Sequence, residues 1–263
     1  MGKLVLKKEY QKQLPNIVML SGGPGLGPNS FFPLGNLLEA FNVYYFYPTG
    51  TDGREQDQIP TYDDLLLEIQ EELTTLESFY LCGHSFGGIQ AVELAQRNAS
   101  KILGLICLAT PLSLSSFEKL GQNFLTLQTE EDKAFDEALS TNPTDQNYLK
   151  WFDNYARLYF APSKILEGRQ MFAETQMCIK NFLEARGEAE VRGELVAQLD
   201  QFPFKKLMIG GEKDSLFDLS CLTQEARRGH CPYQIIKNAG HFVHFDQPEV
   251  TAQIIMQFIY SRG

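Results

Sequence analysis

The chain has 263 residues, of which 43% are hydrophobic and 12% are aromatic, and its formal net charge is −10. This composition suits one large domain, or one domain with an inserted subdomain, and argues against disorder. The acidic balance excludes nucleic acid as a principal partner, and no apolar run is long enough for a membrane span.

The five cysteines are scattered and show no spacing typical of a metal site. Cys82 and Cys107 lie in apolar runs, which favours buried free thiols. The N-terminal apolar stretch is interrupted by charge too soon for a signal peptide. We therefore predict a cytoplasmic protein without metal or cofactor, which acts on a small-molecule substrate and does not bind membranes. Its oligomeric state stays open.

Short apolar runs alternate with helical patterns along most of the chain. The predicted strands are residues 17–20, 43–47, 79–82, 102–108, 207–209 and 233–236. Helices are predicted at residues 62–76, at residues 86–96, and from Pro248 onward. Runs that are apolar on both faces and separated by helices indicate a parallel sheet covered on both sides. In the last helix, Val250, Ile254, Ile255 and Phe258 are expected to form one apolar stripe.

The alternation breaks between residues 111 and 203, a stretch that is acidic, helical in pattern and without a convincing strand. Aromatic residues recur there at spacings of three and four, which predicts one helix with an aromatic face: Tyr148, Trp151, Phe152, Tyr155 and Tyr159. A helical insertion between two halves of a parallel sheet suggests a cap over the edge of the sheet. We therefore predict a core of residues 1–110 and 204–263, and a cap of residues 111–203.

The strongest local motif is Gly-His-Ser-Phe-Gly-Gly at residues 83–88. It follows a predicted strand and precedes a predicted helix. On a sharp turn of this kind the serine hydroxyl projects above the sheet, and the glycines leave room for the turn. This context predicts that Ser85 is a nucleophile.

A serine nucleophile needs a base, and the chain has four histidines. His84 is the neighbour of Ser85 and should point away from it, whereas His230 precedes a strand. His241 follows that strand directly after Gly240, at the edge where catalytic groups of parallel sheets gather. His244 is the competing candidate. We predict that His241 is the general base.

The third catalytic residue should be an acid on a loop after a strand, between nucleophile and base in chain order. Residues 207–214 read as a strand, a glycine turn and then carboxylates. Asp214 is the predicted acid, and Glu212 and Asp218 are the alternatives.

An oxyanion intermediate requires backbone N–H donors. Phe86, the residue after the nucleophile, is one predicted donor. The glycine loop at residues 21–25 should supply the other, and Gly23 is favoured because Pro24 has no N–H group. A phosphate-binding function of this loop is not favoured, because neither a G-x-G-x-x-G nor a Walker spacing fits it.

These motifs resemble the proline iminopeptidase branch of the α/β-hydrolase family. The elements that are similar are the Gly-Gly-Pro-Gly loop at residues 22–25, the turn at residues 83–88, the turn at residues 211–214, and Gly-His at residues 240–241 followed by Asp-Gln-Pro-Glu at residues 246–249. The resemblance implies an α/β-hydrolase fold with a helical cap. Ser21, where the family has histidine, and Phe86, where it often has tryptophan, depart from the pattern.

We predict acyl transfer to water through a Ser-His-Asp triad. The resemblance implies an aminopeptidase, for which an acid of the cap would hold the substrate's α-ammonium group, with Glu167, Glu174 and Glu184 as candidates. The alternatives are a small-molecule carboxylesterase and, from another class, a catalytically silent binding module on the same fold. A dehalogenase or an epoxide hydrolase would need an aspartate in place of Ser85.

Overall fold

The computed structural model describes residues 2–192 and 194–260. Seven strands form its sheet: β1 (Lys3–Leu6), β2 (Asn16–Leu20), β3 (Asn42–Tyr47), β4 (Phe79–His84), β5 (Ile102–Leu108), β6 (Lys205–Gly211) and β7 (Tyr233–Ile236). Their spatial order is β1-β3-β2-β4-β5-β6-β7. All neighbouring strands are parallel except β1, which pairs antiparallel with β3. The six strands predicted from the sequence are all present.

The strand β1 was not predicted. It has only four residues, it lies at the edge of the sheet, and none of its side chains is fully buried. An edge strand of this kind lacks the continuous buried run by which the inner strands are recognised.

The helices fall into three groups along the chain. Those before β5 are α1 (Phe32–Leu37), α2 (Tyr62–Leu73) and α3 (Phe86–Arg97). Those between β5 and β6 are α4 (Leu114–Leu127), α5 (Asp132–Thr141), α6 (Asp145–Asn154), α7 (Ala156–Tyr159), α8 (Ile165–Glu174), α9 (Lys180–Leu183), α10 (Ala185–Val191) and α11 (Val196–Gln201). Those after β6 are α12 (Leu219–Arg228), α13 (Val243–Asp246) and α14 (Pro248–Tyr260). None of the helices in the described ranges is long and apolar enough to cross a membrane.

The sheet is buried on both faces. Leu81 of β4 packs in a cluster with residues of α2, α3 and α12, whereas its neighbour Cys82 packs in a cluster with residues of α1 and α14. Because successive side chains of a strand point to opposite faces, this division places helices on both sides of the sheet. The predicted α/β class is confirmed. All five cysteines are buried free thiols.

Two details of the helix predictions were wrong. Ile254, Ile255 and Phe258 of the predicted stripe of α14 do pack against the core, but Val250 is exposed, and Thr251, Ala252 and Ile259 are buried in addition. The predicted aromatic helix is two helices, α6 and α7, because the backbone of Tyr155 leaves the helical region at φ −86° and ψ 6°.

The segment between β5 and β6, residues 111–203, is called the insertion below. Its described part is helical, apart from an isolated bridge between Met177 and Leu26. Its aromatic side chains form a third apolar cluster, which includes Phe242 and Leu216 from the loops after β7 and β6. The insertion therefore packs on the carboxyl edge of the sheet.

Candidate active site

Ser85 lies at the turn between β4 and α3, with φ 51° and ψ −118°. This is an uncommon and strained combination for a residue with a side chain. The surrounding glycines make the turn possible: a Cβ atom on Gly83 would overlap the carbonyl group of Gly87, and one on Gly88 would overlap the side chain of Thr110. The Ser85 side chain lines a cavity above the end of the sheet.

His241 and Asp214 lie after two neighbouring strands, β7 and β6, and contact each other. Nδ1 of His241 is 2.8 Å from Oδ2 of Asp214, and both side chains are buried. The other carboxylate oxygen of Asp214 accepts hydrogen bonds of 3.0 Å from the backbone N–H groups of Leu216 and Phe217. The carboxylate is thus fixed from two sides. His241 lines the same cavity as Ser85, and its Nε2 atom is the ring nitrogen not engaged by Asp214.

The alternative acids and His230 have other contacts. The side chain of Asp218 accepts hydrogen bonds from the backbone N–H groups of Ser220 and Cys221 and thereby caps the N-terminus of α12. Glu212 lies at the surface and accepts from the N–H group of Asn238. His230 is exposed and pairs with Asp200. Within the described chain, no group of three or more His, Cys, Asp or Glu residues could hold a metal ion.

The His84 ring packs against that of His241, and the His244 ring packs against that of His84, but the ring nitrogens of both face other groups. Nε2 of His84 lies 3.0 Å from the carbonyl oxygen of His241. Nε2 of His244 lies 3.1 Å from Oγ of Ser30, and its ring stacks on Phe31. Burial lowers the pKa of His244 to about 3 and that of His84 well below its ordinary value. Both rings are therefore neutral near pH 7, and a neutral His84 donates to the carbonyl group of His241.

The two predicted oxyanion donors come from separate segments that both line the cavity beside Ser85. Phe86 is the first residue of α3, so its N–H group has no acceptor within the helix. Gly23 lies in the loop after β2 with φ 120°, a conformation that favours glycine. Both residues line the cavity. The hydroxyl of Tyr148 donates a 2.8 Å hydrogen bond to the carbonyl group of Pro24, which fixes this loop to α6.

The cavity between the insertion and the sheet has a volume of about 110 Å³. Most of its wall is apolar or aromatic. The insertion contributes Pro111, Phe117, Leu120, Phe124, Trp151, Phe152, Tyr159, Phe182 and Arg186. A narrow apolar space of this kind suits a small acyl group.

The charged groups around the cavity differ from the expected ones. Glu167, Glu174 and Glu184 are exposed and do not line it. Among the described lining residues there is no aspartate, glutamate or lysine, and the charged side chain present is Arg186. Sequence reasoning missed this arginine because α10 shows no pattern that indicates which of its side chains faces the cavity.

Asp246 is a second residue whose role sequence reasoning missed. Its Oδ2 atom accepts a 2.7 Å hydrogen bond from the N–H group of Gly240 and a 2.8 Å bond from that of Ala161. Burial raises the pKa of this carboxyl group to about 6. Asp246 therefore ties the residue before His241 to the insertion. The motif at residues 246–249 drew attention to Asp246, but nothing local indicated the contact with Ala161.

Comparisons with known proteins agree with this architecture. Sequence relatives include the monoacylglycerol lipase ABHD6 of Homo sapiens and of Bos taurus, each 27% identical over 188 residues that make up 70% of this chain and 55% of the relative. The matched segment thus spans about half the length of these curated relatives.

Solved structures with the same fold include esterases and a peptidase. A carboxylesterase of Nitrososphaera gargenis superposes with a TM-score of 0.74 at 17% identity, over 98% of this chain and 94% of the other. A thermophilic esterase of Thermogutta terrifontis gives 0.72 at 17% identity, over 99% and 94%. A proline iminopeptidase of Mycobacterium smegmatis gives 0.63 at 18% identity, over 98% and 93%. Together with a match of residues 15–248 to the family model of the alpha/beta hydrolase fold, the architecture identifies the chain as a member of the α/β-hydrolase family.

Proposed function

We propose that the chain is a serine hydrolase that cleaves small carboxylic esters through an acyl-enzyme on Ser85. The observation that carries the proposal is the buried pair of His241 and Asp214, 2.8 Å apart, beside a cavity that Ser85 also lines. Membership in a family of hydrolases adds support.

The mechanism begins with attack by Oγ of Ser85 on the ester carbonyl carbon, while Nε2 of His241 takes the hydroxyl proton. Asp214 holds the ring through Nδ1 and stabilises the imidazolium that forms. The N–H groups of Gly23 and Phe86 stabilise the oxyanion of the tetrahedral intermediate. His241 then passes the proton to the leaving alcohol as the C–O bond breaks.

Hydrolysis of the acyl-enzyme repeats these steps with water. His241 takes a proton from the water molecule, whose oxygen attacks the acyl carbon. Collapse of the second tetrahedral intermediate releases the carboxylic acid, and the proton returns to Oγ of Ser85. The insertion acts as the cap that selects the acyl group, since it supplies half of the residues that line the cavity.

The charge around the cavity favours an ester over an N-terminal peptide. An aminopeptidase must hold the α-ammonium group of its substrate, and an unpaired cation in a closed apolar site is costly. The described wall of the cavity offers no carboxylate that could pair with an ammonium group. The esterases among its structural neighbours and the lipases among its relatives agree with this choice.

Proline iminopeptidase activity is the second candidate, and the Gly-Gly-Pro-Gly loop at residues 22–25 is the observation that favours it. The two candidates are separated by kcat/KM for a short p-nitrophenyl ester, for prolyl-arylamide and for N-acetyl-prolyl-arylamide. We expect cleavage of the ester alone. Cleavage of prolyl-arylamide that is lost on acetylation would establish the peptidase instead.

The nucleophile is tested with a fluorophosphonate probe, which we expect to label the native chain at Ser85. Ser85→Ala should abolish labelling and lower kcat about a thousandfold or more. Ser140→Ala, at an exposed serine of α5, is the matched control and should behave like the native chain. A native chain that is neither labelled nor active would instead be a silent binding module.

A further inference from the structure

His84 is a buried histidine that the proposed mechanism leaves without a role. It is the last residue of β4 and pairs with Leu108 of the neighbouring strand β5. The N–H group of Ser85, the next residue, donates a 2.9 Å hydrogen bond to the carbonyl oxygen of Leu108. His84 itself is 1% exposed. Its backbone is therefore held by the sheet, directly beside the proposed nucleophile.

One ring nitrogen of His84 contacts the backbone of the proposed base. Nε2 lies 3.0 Å from the carbonyl oxygen of His241. Because a carbonyl oxygen can only accept, this nitrogen carries the proton and donates the hydrogen bond. The centre of the His84 ring also lies 5.0 Å from that of the His241 ring and 4.5 Å from that of the Phe242 ring. Two successive residues of the loop after β7 therefore pack on this one side chain.

The loop after β2 confines the other edge of the ring. A Cβ atom on Gly22 would lie 2.8 Å from Nδ1 of His84 and 3.2 Å from Cβ of Ser85, so the backbone of this glycine packs closely against both residues. The His244 ring packs against the His84 ring as well, with their centres 4.7 Å apart. The ring of His84 therefore has little freedom to turn, and its N–H group is preorganised toward His241.

The chemistry of His84 argues against a role in packing alone. Its Nδ1 atom has no hydrogen-bond partner among the described residues. A buried acceptor without a partner costs stability, whereas a phenylalanine ring would fill a similar space without this cost. The part of His84 that phenylalanine could not replace is the N–H group, and this group acts on His241.

We propose that His84 is a positioning residue that holds His241 at a fixed distance from Ser85. The proposal rests on the serine hydrolase function and adds a residue to the same machinery. Nε2 of His241 takes the proton of Ser85 and later returns it, so the two groups must stay within hydrogen-bond reach throughout the cycle. A displacement of about 1 Å between reacting groups can lower the rate about a hundredfold. The hydrogen bond from His84 limits such a displacement, because it links the backbone of the base to the residue before the nucleophile.

Three substitutions separate the donor from the ring. The side-chain amide of glutamine can place its nitrogen near the position of Nε2, whereas that of asparagine, one methylene shorter, ends near the position of Nδ1. Phenylalanine keeps a ring without any donor. For a short p-nitrophenyl ester we expect His84→Phe and His84→Asn to lower kcat about tenfold, with KM within about threefold of the native value. His84→Gln should recover most of kcat.

His244→Phe is the matched control. It also replaces a buried histidine of this cluster, and it also removes one hydrogen bond, the contact with Oγ of Ser30. We expect it to lower Tm as His84→Phe does, but to leave kcat close to that of the native chain. The comparison separates a general loss of stability from a displaced base.

The position of His241 is also measured without turnover, by proton NMR of the chain containing isotope-labelled histidine. The proton on Nδ1 of His241, which lies between this ring and Asp214, should give a signal far downfield, and its loss in His241→Ala assigns it. We expect the signal to move upfield in His84→Phe, because a displaced ring makes a longer hydrogen bond to Asp214. It should keep its native position in His84→Gln and in His244→Phe.

Three results would each overturn the proposal: a native kcat in His84→Phe, no recovery in His84→Gln, or a lower kcat with an unchanged Nδ1 signal. If the native chain hydrolyses no ester, the proposed function is refuted, and the NMR comparison alone decides whether His84 positions His241.

Discussion

Glu225 provides a test of how the insertion is anchored to the core. Its Oε1 atom accepts hydrogen bonds of 2.8 Å from the N–H group of Leu112 and 2.9 Å from the hydroxyl of Ser113, where the insertion begins. The side chain is 0% exposed. Among the described residues, its Oε2 atom has no hydrogen-bond partner. Burial raises the pKa of this carboxyl group from 4.5 to about 7.

The sign of the effect on stability follows from this shift. Between the two pKa values the folded chain holds a proton that the unfolded chain has released, so the free energy of unfolding falls as pH rises. The contribution is fully present below pH 4.5 and is lost as pH rises through about 7. The difference corresponds to about 3 kcal/mol in total, of which about 1 kcal/mol is lost between about pH 6 and about pH 9.

Glu225→Gln removes the ionisation and keeps the acceptor for Leu112 and Ser113. The free-energy cost of burying the glutamine amide group is the same at every pH, because this group does not ionise. Relative to the native chain, the variant should therefore gain about 1 kcal/mol in unfolding free energy from about pH 6 to about pH 9. The assay is denaturant unfolding followed by circular dichroism at both pH values. Glu137→Gln, at an exposed position of α5, is the control and should follow the native chain. Parallel pH dependences for Glu225→Gln and the native chain would refute the reasoning.

The remaining predictions concern the groups around the proposed base. His241→Ala should lower kcat for a p-nitrophenyl ester about a thousandfold or more, whereas His244→Ala, which removes a ring packed on Phe31, should lower Tm and leave kcat within about tenfold. A larger loss of kcat from His244→Ala would reverse the assignment of the base. Asp246→Ala removes both backbone hydrogen bonds at Oδ2, so kcat should fall about tenfold with a smaller change in KM. An unchanged kcat would show that this carboxylate does not position His241.

The parts of the site that could be predicted from the sequence depend on local patterns. The turn at Ser85 requires glycines at fixed offsets, and strand and helix patterns flank it directly. The loops that bear Asp214 and His241 each follow a recognisable strand. Because the carboxyl ends of parallel strands share one edge of the sheet, these three local features predicted neighbouring positions, and in the structure Asp214 contacts His241 while His241 and Ser85 line one cavity.

The parts that could not be predicted depend on contacts between distant segments. The carboxylate of Asp246 meets the N–H group of Ala161, 85 residues earlier in the chain, and no sequence period encodes such a pair. The direction in which the side chain of Arg186 points depends on how the short helices of the insertion pack. One of these helices, α9, has only four residues. The break at Tyr155 is likewise tertiary, because the Tyr155 hydroxyl bonds Asp136 of α5 at 2.9 Å.

Several long-range contacts of the loop that carries His241 are made with one segment of the insertion, from Tyr159 to Ala161. The N–H group of Phe242 donates a 3.2 Å hydrogen bond to the carbonyl oxygen of Tyr159. A Cβ atom on Gly240 would lie 2.7 Å from that same oxygen, so the backbones of these two segments are in contact. Asp246 accepts a hydrogen bond from each segment. The residues on either side of His241 are therefore fixed to the segment that carries Tyr159, a residue of the cavity wall. The insertion therefore cannot move at this point without also moving His241, the proposed base, so the position of Tyr159 is coupled to the geometry of the proposed triad.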